Sequence, residues 1–158
     1  MALTPEQKKD NRIARILGQL KCLQINRAKN KVATVFQQMI RYESAAANGG
    51  VLVCVTCGRK GRIGENTFDA GHFLPGRRAS TIFHEQGCHT QCKPCNKGQH
   101  HGTVEKYERF MIEKYGEQFV EDFRKLHWED HKFTHDQLAE LQYGFEVRKK
   151  AAEKRLSE

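Results

Sequence analysis

An aspartate, a histidine and two arginines lie within the eleven residues FDAGHFLPGRR, which run from Phe68 to Arg78. A neutral imidazole can take a proton from water near pH 7, and carboxylate oxygens are ligands that Mg²⁺ prefers. Asp69 precedes His72 by three residues, and the two arginines follow a Pro-Gly pair. The stretch therefore contains residue types suited to metal-assisted hydrolysis next to a basic turn.

Two C-x-x-C pairs, one on each side of that stretch, are typical of a metal site. Cys54 and Cys57 precede the stretch, and Cys92 and Cys95 follow it. Two thiolates at this spacing can take adjacent corners of a tetrahedron, so two pairs complete a Cys₄ zinc site. A thioredoxin-like redox motif would need a βαβ pattern around the pair, which this sequence lacks. We therefore predict one structural Zn²⁺ held by the four cysteines.

The distance between the two pairs is unusual. Thirty-four residues separate Cys57 from Cys92, whereas ordinary four-cysteine ribbons separate their pairs by roughly 15–20 residues. The β-branched run VLVCV and the glycine-rich turns after it predict short strands, and the second pair is predicted to lead into a helix. The extra length can hold a hairpin of its own, and the DAGH tetrapeptide lies within it.

Apolar residues recur at helical spacing on both sides of this segment. We predict two N-terminal helices between about residues 5 and 47, with a break near residues 26–30 and a stop at AANGG. After residue 102 we predict a helix capped by Thr103 and ended by Gly116, then a helix over residues 117–128. Thr134 with Gln137 forms a capping box for a last helix, with a frayed tail from about residue 149.

The remaining aromatic residues and Cys22 are predicted to be core. The aromatic residues of the C-terminal part recur at helical spacing, which favours a buried face over base-stacking platforms: Tyr107, Phe110, Tyr115, Phe119, Phe123 and Trp128.

The predicted helices and short strands make the chain α+β, and we predict three parts. Residues 1–48 form basic helices for DNA binding or dimerisation, residues 49–102 form the zinc-stapled core, and residues 103–158 form a helical region.

The positive charge is unevenly distributed along the 158 residues, whose formal net charge is +8. Residues 1–50 carry nine basic and three acidic side chains, and residues 51–102 carry seven and three. Residues 103–158 carry eleven and thirteen. A basic face attracts polyphosphate and releases counterions on binding it, so the first two thirds of the chain are predicted to bind nucleic acid. The alternative is a basic surface that serves only solubility.

The order of these motifs resembles the HNH, or ββα-metal, nucleases, and is similar to zinc-stapled phage endonuclease VII. From about Gln37 to near the C-terminus, CVTCG, DAGHF and QCKPCN followed by a helical tail resemble the NinG/Rap family of phage recombination proteins. This resemblance implies an HNH-like core and a structure-directed endonuclease for D-loops and Holliday junctions. In most HNH nucleases the metal-binding acid directly precedes the catalytic histidine, whereas here Gly71 does.

With these motifs together, the residues have assignable roles. We predict that His72 is the general base and that Asp69 and Asn96 bind a catalytic Mg²⁺ or Mn²⁺. Asn96 directly follows Cys95, so the zinc site would fix its position; a plain helix N-cap is the alternative. His100, four residues beyond Asn96, is a tentative third ligand if both lie on one helix. His89 and His101 are less favoured for this role, and His84 is predicted to be structural, with a substrate contact as the alternative.

Basic residues of the core segment are predicted to contact DNA, because guanidinium groups suit phosphate. They are Arg59, Lys60, Arg62, Arg77 and Arg78. Symmetric cutting of a four-way junction would need two active sites, so we expect a homodimer, with residues 32–40 as one seam. A recombinase or single-strand-binding protein is a further expected partner.

Two other readings of the function stay open at the sequence level. One is a zinc-stapled DNA-binding module without catalysis, and the other is an HNH nuclease that nicks ordinary duplex. The first residues, MALTPEQKKDNR, lack the apolar segment of a signal peptide, and no run approaches the roughly 18 apolar residues of a membrane span. We expect a cytoplasmic protein, in the host cytoplasm if phage-encoded, with no membrane partner.

Overall fold

The computed structural model describes residues 3–158 and shows six α-helices and two small sheets in that range. The helices are α1 (Pro5–Lys21), α2 (Ile25–Ala47), α3 (Lys93–Asn96), α4 (Thr103–Tyr115), α5 (Glu117–His127) and α6 (His135–Ser157). The strands are β1 (Val51–Val53), β2 (Lys60–Arg62), β3 (Phe68–His72) and β4 (Cys88–Cys92). The prediction of a mixed α+β chain is confirmed.

The two N-terminal helices are confirmed, but the break between them falls earlier than predicted. Cys22 caps α1, and Leu23 N–H donates to the Leu20 carbonyl at 2.9 Å, which closes the last turn. The chain turns at Gln24 and re-enters helix at Ile25. Cys22 is exposed, so its prediction as a core residue is wrong.

Helices α1, α2 and α6 pack together, and α6 packs most extensively against α2. Ile16 from α1, Phe36 from α2 and Leu138 from α6 belong to one buried cluster. Ala70 from β3 and Cys88 from β4 belong to the same buried cluster, so the helices pack against this hairpin. The predicted N-terminal and C-terminal regions therefore share one hydrophobic core.

Two predictions fail because of this packing. Val32, Phe36 and Met39 are fully buried within the chain, so this face of α2 is not a free dimer seam. The tail predicted to fray from about residue 149 is helical to Ser157. Ala152 is fully buried, which anchors the helix end.

Helices α4 and α5 cover the other side of the β3–β4 hairpin. Their aromatic residues pack around Phe73, which follows β3, and the buried members of the cluster include Tyr107, Met111 and Phe123. Gly116 ends α4 with φ +89°. The prediction of an aromatic core is confirmed except for Trp128, which is 71% exposed.

The two sheets are antiparallel hairpins, β1 with β2 and β3 with β4. In the second hairpin Asp69 pairs with Gln91, and His72 pairs with Cys88. The short helix α3 begins directly after β4, so the chain order here is strand, strand, helix. The Val55 N–H donates to the Thr90 carbonyl at 3.0 Å and joins the segment after β1 to β4.

The free edge of β3 is covered by side chains of α2. Gln37 Nε2 donates to the Ala70 carbonyl at 3.1 Å, and Arg41 Nη1 donates to the Phe68 carbonyl, also at 3.1 Å. An unpaired strand edge presents unsatisfied backbone groups, and α2 satisfies two of them. Within residues 3–158, no helix is both long and apolar enough for a membrane crossing.

Candidate functional site

The four predicted zinc ligands come together. The Sγ atoms of Cys54, Cys57, Cys92 and Cys95 all lie within 4.8 Å of one another, and those of Cys57 and Cys92 are 3.7 Å apart. Thiolates bound to Zn²⁺ at about 2.3 Å stand roughly 3.8 Å from each other at the corners of a tetrahedron. The four cysteines could therefore hold a structural metal such as zinc.

The turn of the first cysteine pair stabilises a thiolate. Gly58 adopts φ +73°, and its N–H donates to the Cys54 carbonyl at 2.9 Å, which closes the turn. Burial opposes ionisation of Cys54, but backbone N–H groups of Cys92, Cys57 and Thr56 outweigh it and lower the pKa of Cys54 to about 7. The thiolate is the form that binds a metal, so this turn favours Cys54 as a ligand, whereas burial raises the pKa values of Cys92 and Cys95.

The second cysteine pair places Asn96 beside Asp69. Asn96 is the last residue of α3 and directly follows Cys95. Its Nδ2 donates to Asp69 Oδ2 at 3.0 Å. Both side chains line a cavity of about 230 Å³ whose wall also includes Arg41 and Arg77. The structure thus brings the two predicted oxygen ligands of a catalytic cation into one polar cavity.

The space for this pair depends on Gly71, which lies two residues beyond Asp69 on the same face of β3. A Cβ atom at Gly71 would stand 2.7 Å from Asn96 Oδ1 and would collide with Gln91 Oε1. Gln91 is buried, and its Nε2 donates to Thr56 Oγ1 at 2.7 Å. Moving Gln91 aside would break that buried hydrogen bond, so the arrangement requires glycine at this position.

His72 lies on the opposite face of β3 from Asp69, since the two are three residues apart on a strand. Its Nε2–H donates to the Ile82 carbonyl at 2.9 Å, which leaves Nδ1 as the acceptor of the neutral ring. Burial lowers the pKa of His72, and the positive charge of Arg77 lowers it further. His72 does not line the cavity that Asp69 shares with Asn96. Arg77 is the residue that lies near both.

His100 is positioned by the cysteine cluster. The helix that was expected to place it on the same face as Asn96 ends at Asn96, and Lys97 is its cap. His100 Nδ1 lies 3.3 Å from Cys95 Sγ, so the ring contacts a predicted zinc ligand. Because the helical spacing behind the third-ligand prediction is absent, that prediction loses its structural reason.

Three of the predicted DNA contacts belong to the β1–β2 hairpin. Arg59, Lys60 and Arg62 are all exposed. Lys60 and Arg62 are the two ends of β2, and Arg59 precedes them. They lie outside the Asp69 cavity wall, which Arg77 lines, and their contact with DNA stays a prediction.

The other two predicted contacts differ from each other. Arg77 is exposed, adopts φ +48° after Gly76 and lines the cavity. Arg78 is half-buried, and its guanidinium lies over the Trp128 ring at 4.8 Å from the centroid. Neither has an acidic partner among residues 3–158. The cations in salt bridges there are others: Arg12, Arg124, Lys125, Arg148, Lys149 and Lys154.

A family model described as the bacteriophage lambda NinG protein matches residues 4–156. The chain belongs to the NinG family. The match covers both N-terminal helices, the cysteine cluster and α6 almost to its end, so the whole described fold carries the family pattern. No curated protein and no solved structure matches the chain.

In this NinG-family chain, α2 supplies cavity residues that the sequence did not indicate. Thr34, Gln37, Gln38 and Arg41 all line the Asp69 cavity. Their helical spacing is also what an ordinary solvent-exposed polar face would show. Only the packing of α2 against β3 shows that these side chains line the Asp69 cavity. The basic character of Arg41 was the one available signal.

His84 and His89 pack against aromatic side chains of α5 and α4, respectively. His84 packs edge-on against Phe123 with ring centroids 4.8 Å apart. His89 lies between two tyrosine hydroxyls, with Nδ1 at 3.2 Å from Tyr107 and Nε2 at 2.9 Å from Tyr115. Burial and the nearby charge of Lys114 lower the pKa of His89 to about 4. These contacts agree with the structural role predicted for His84 and use both ring nitrogens of His89.

Proposed function

We propose that this chain is a metal-dependent endonuclease of HNH type that hydrolyses phosphodiester bonds in branched DNA during phage recombination. The observation that supports it most is the Asp69–Asn96 pair, held at 3.0 Å in a cavity walled by two arginines. The strand–strand–helix order around that pair is the order of a ββα-metal core. Branched substrates, D-loops and Holliday junctions, come from the resemblance to the NinG/Rap family.

The donor set of the cavity fits a hard divalent cation. Asp69 offers carboxylate oxygens. Asn96 offers an amide oxygen if the amide group rotates so that Oδ1 takes the place of Nδ2. Both groups are ligands that bind Mg²⁺ and Mn²⁺. Such a cation would stabilise charge on the phosphate and on the departing oxygen. The cysteine cluster would fix Asn96, so that the structural metal orients a ligand of the catalytic one.

The proposed role of His72 rests on its tautomer. Because Nε2–H is donated to the Ile82 carbonyl, Nδ1 keeps a free lone pair and can accept a proton from water. The lowered pKa keeps the ring neutral at pH 7. His72 and Asp69 lie on opposite faces of β3, and Arg77, which lines the Asp69 cavity and whose charge lowers the pKa of His72, is the residue near both.

The unpaired cations supply the counter-charge for DNA. Arg41 and Arg77 line the cavity and would hold the phosphate next to Asp69, because guanidinium groups bind phosphate oxygens with two parallel hydrogen bonds. Arg59, Lys60, Arg62 and Arg78 would extend the contact along the backbone. The salt bridges among the described residues are made by other cations, such as Arg12, Arg124 and Arg148. The positive charge of this group is therefore not neutralised by an acidic side chain within residues 3–158.

The test is Mg²⁺-dependent cleavage of a junction by the wild type and by His72→Ala and Asp69→Asn. Each variant is expected to lose on the order of 10²- to 10⁴-fold in rate, as for the loss of a general base, while junction binding is retained. His101→Ala removes an exposed histidine outside the site and is the matched control, with unchanged cleavage. A His72→Ala protein that cleaves at the wild-type rate would refute the assignment.

The alternatives are separated by a panel of substrates. Junction, D-loop, flap and linear duplex are incubated with Mg²⁺ or Mn²⁺, and preference for the branched forms is expected. Equal nicking of duplex favours the ordinary HNH nuclease, and binding without cleavage under any condition favours the zinc-stapled binding module. Sedimentation with and without junction DNA tests the homodimer, and addition of a recombinase or a single-strand-binding protein to the same assay tests cooperation.

A further inference from the structure

Trp128 is the one large aromatic side chain of residues 3–158 that the fold leaves mostly in water. It is 71% exposed and caps the C-terminal end of α5. The five other aromatic residues predicted for the same core are packed into it. Burying an indole is favourable, yet Trp128 stays in solvent, and its flat face is accessible to a ligand.

The position of Trp128 is fixed by the loop between β3 and β4. Ser80 Oγ donates to the His127 carbonyl at 3.1 Å, and Thr81 Oγ1 lies 2.8 Å from His127 Nδ1. Both His127 and Thr81 are buried. These bonds connect His127, the residue before Trp128, to the loop between β3 and β4. The same loop carries Arg77, which lines the Asp69 cavity.

One side of the indole already carries a cation. The Arg78 guanidinium lies 4.8 Å from the ring centroid, and His127 meets the ring edge-on at 5.5 Å. Arg78 has no carboxylate partner among the described residues, so its charge is available. Arg77, its neighbour in the chain, lines the Asp69 cavity. The exposed indole is therefore in contact with an unneutralised guanidinium, and the preceding residue in the chain, Arg77, lines the proposed phosphate site.

We propose that Trp128 is a stacking platform for an unpaired nucleobase of the DNA, with Arg78 binding the adjoining phosphate. Stacking on an aromatic ring requires a base whose face is free, which a continuous duplex does not offer and a single strand or a branch point does. This inference rests on the proposed nuclease function and adds to it a reason for preferring branched DNA. Because Glu129 and Asp130 follow the indole, the phosphate approaches from the arginine side.

The chain provides its own probe, since Trp128 is its single tryptophan. Tryptophan emission is recorded on the zinc-loaded protein without added Mg²⁺ or Mn²⁺, so that DNA is bound but not cut. The titrants are a junction with unpaired bases at its centre, a single-stranded oligonucleotide and a fully paired duplex of equal length. Quenching is expected with the first two and not with the duplex.

Substitution measures the contribution of the indole. Trp128→Ala is expected to weaken binding of the single strand on the order of tenfold, to leave duplex binding within about twofold and to leave the melting temperature unchanged, because the side chain is exposed. Trp128→Phe should restore part of the affinity. Val104→Ala removes another exposed apolar side chain, 70% exposed on α4, and is expected to change nothing.

The outcomes for stacking and for cleavage are distinguishable. Cleavage that depends on His72, with unchanged emission and equal affinities of Trp128→Ala for all DNAs, overturns the platform and leaves the nuclease intact. Quenching by unpaired bases without any cleavage by the wild type keeps the platform and refutes the nuclease. Quenching by duplex equal to that by single strand also overturns the platform.

Discussion

Gly71 occupies the position directly before the proposed base, where most HNH nucleases carry the metal-binding acid. In this chain the space above Gly71 is taken by Gln91 and Asn96. Asp69 lies one step back on the same face of β3, because side chains of a strand return to one face every second residue. The carboxylate therefore reaches Asn96 from a neighbouring place on the same surface, and under the proposed function the acid would be displaced along the strand relative to the usual motif.

Gly71→Ala is expected to lower the free energy of unfolding by about 1–3 kcal/mol, the range for an overpacked interior. The added methyl group would push Gln91 away from Thr56 and press on Asn96. The measurement is denaturant unfolding, together with Mg²⁺-dependent cleavage, which should fall as well because Asn96 is displaced.

Gly18→Ala provides the matched control for that substitution. Gly18 lies inside α1 and a Cβ atom there would meet nothing within 4 Å. Alanine in a helix interior is better than glycine by roughly 0.5–1 kcal/mol, so this variant should be slightly more stable. A Gly71→Ala protein as stable as Gly18→Ala would show that the space over β3 is not needed.

His89 predicts a pH dependence of stability. Its pKa is lowered from 6.5 to about 4 by burial and by Lys114, so the unfolded chain binds a proton at mildly acid pH that the folded chain does not. The free energy of unfolding is therefore full above pH 6.5 and falls as the pH decreases towards about 4, by about 3 kcal/mol for this group.

The check is the slope of unfolding free energy against pH between 6.5 and 4 in the wild type and in His89→Gln. The slope should become shallower in the variant by about one proton. It will not vanish, since the pKa values of His72, His84 and His127 are lowered in the same direction. An identical slope in both proteins would contradict the assignment of the proton to His89.

At the scale of helices and strands, the sequence correctly predicted the features that are determined by residue spacing and capping residues. Apolar spacing predicted the long helices, Thr134 with Gln137 formed the expected capping box, and Gly116 ended α4. The cysteine spacing predicted the cluster, and the surplus between the pairs predicted the hairpin of Asp69. The helix and cap signals lie within a few residues of the features that they specify, and the cysteine cluster was predictable across 34 residues because a metal site needs both pairs.

Features that depend on distant packing were not predictable in this way. The helical pattern of α6 does not say that its partner is α2, so the terminal regions were taken as separate. The exposure of Trp128 depends on where α5 stops against the β3–β4 loop, and the place of His100 depends on the early end of α3. The polar residues of α2 became part of the candidate site only because α2 covers the edge of β3.

Arg41 tests that contribution of α2. Arg41→Gln is expected to reduce junction cleavage by about 10- to 100-fold, because a guanidinium next to the scissile phosphate would be lost. Stability should fall by only about 1 kcal/mol, the net value of the hydrogen bond to the Phe68 carbonyl. Arg27→Gln makes the same change at an exposed place on the same helix, outside the cavity, and is the control. Equal effects of the two substitutions would mean that only overall charge matters.

At the scale of the whole molecule, the cysteine cluster is where distant parts of the chain meet. Cys54, Cys92 and Cys95 form one buried cluster with Ala45 near the end of α2. Leu156, near the end of α6, packs against the same cluster. The cysteine cluster is therefore continuous with the helical bundle and is not part of a separate small domain attached to it.

Removal of the metal should consequently destabilise the entire chain and not only the hairpins. Cys95→Ser, or a strong zinc chelator added to the wild type, is expected to lower the melting temperature by about 10 °C or more, since the binding free energy of a structural metal is folding free energy. Loss should appear in the helical circular dichroism signal in a single transition, because α2 and α6 both contact the cluster. Cys22→Ser changes an exposed cysteine outside the cluster and should keep both the melting temperature and one bound zinc per chain by atomic absorption. A Cys95→Ser protein that kept them too would refute the four-cysteine ligand set, and a transition confined to part of the helical signal would refute the continuity of the metal centre with the bundle.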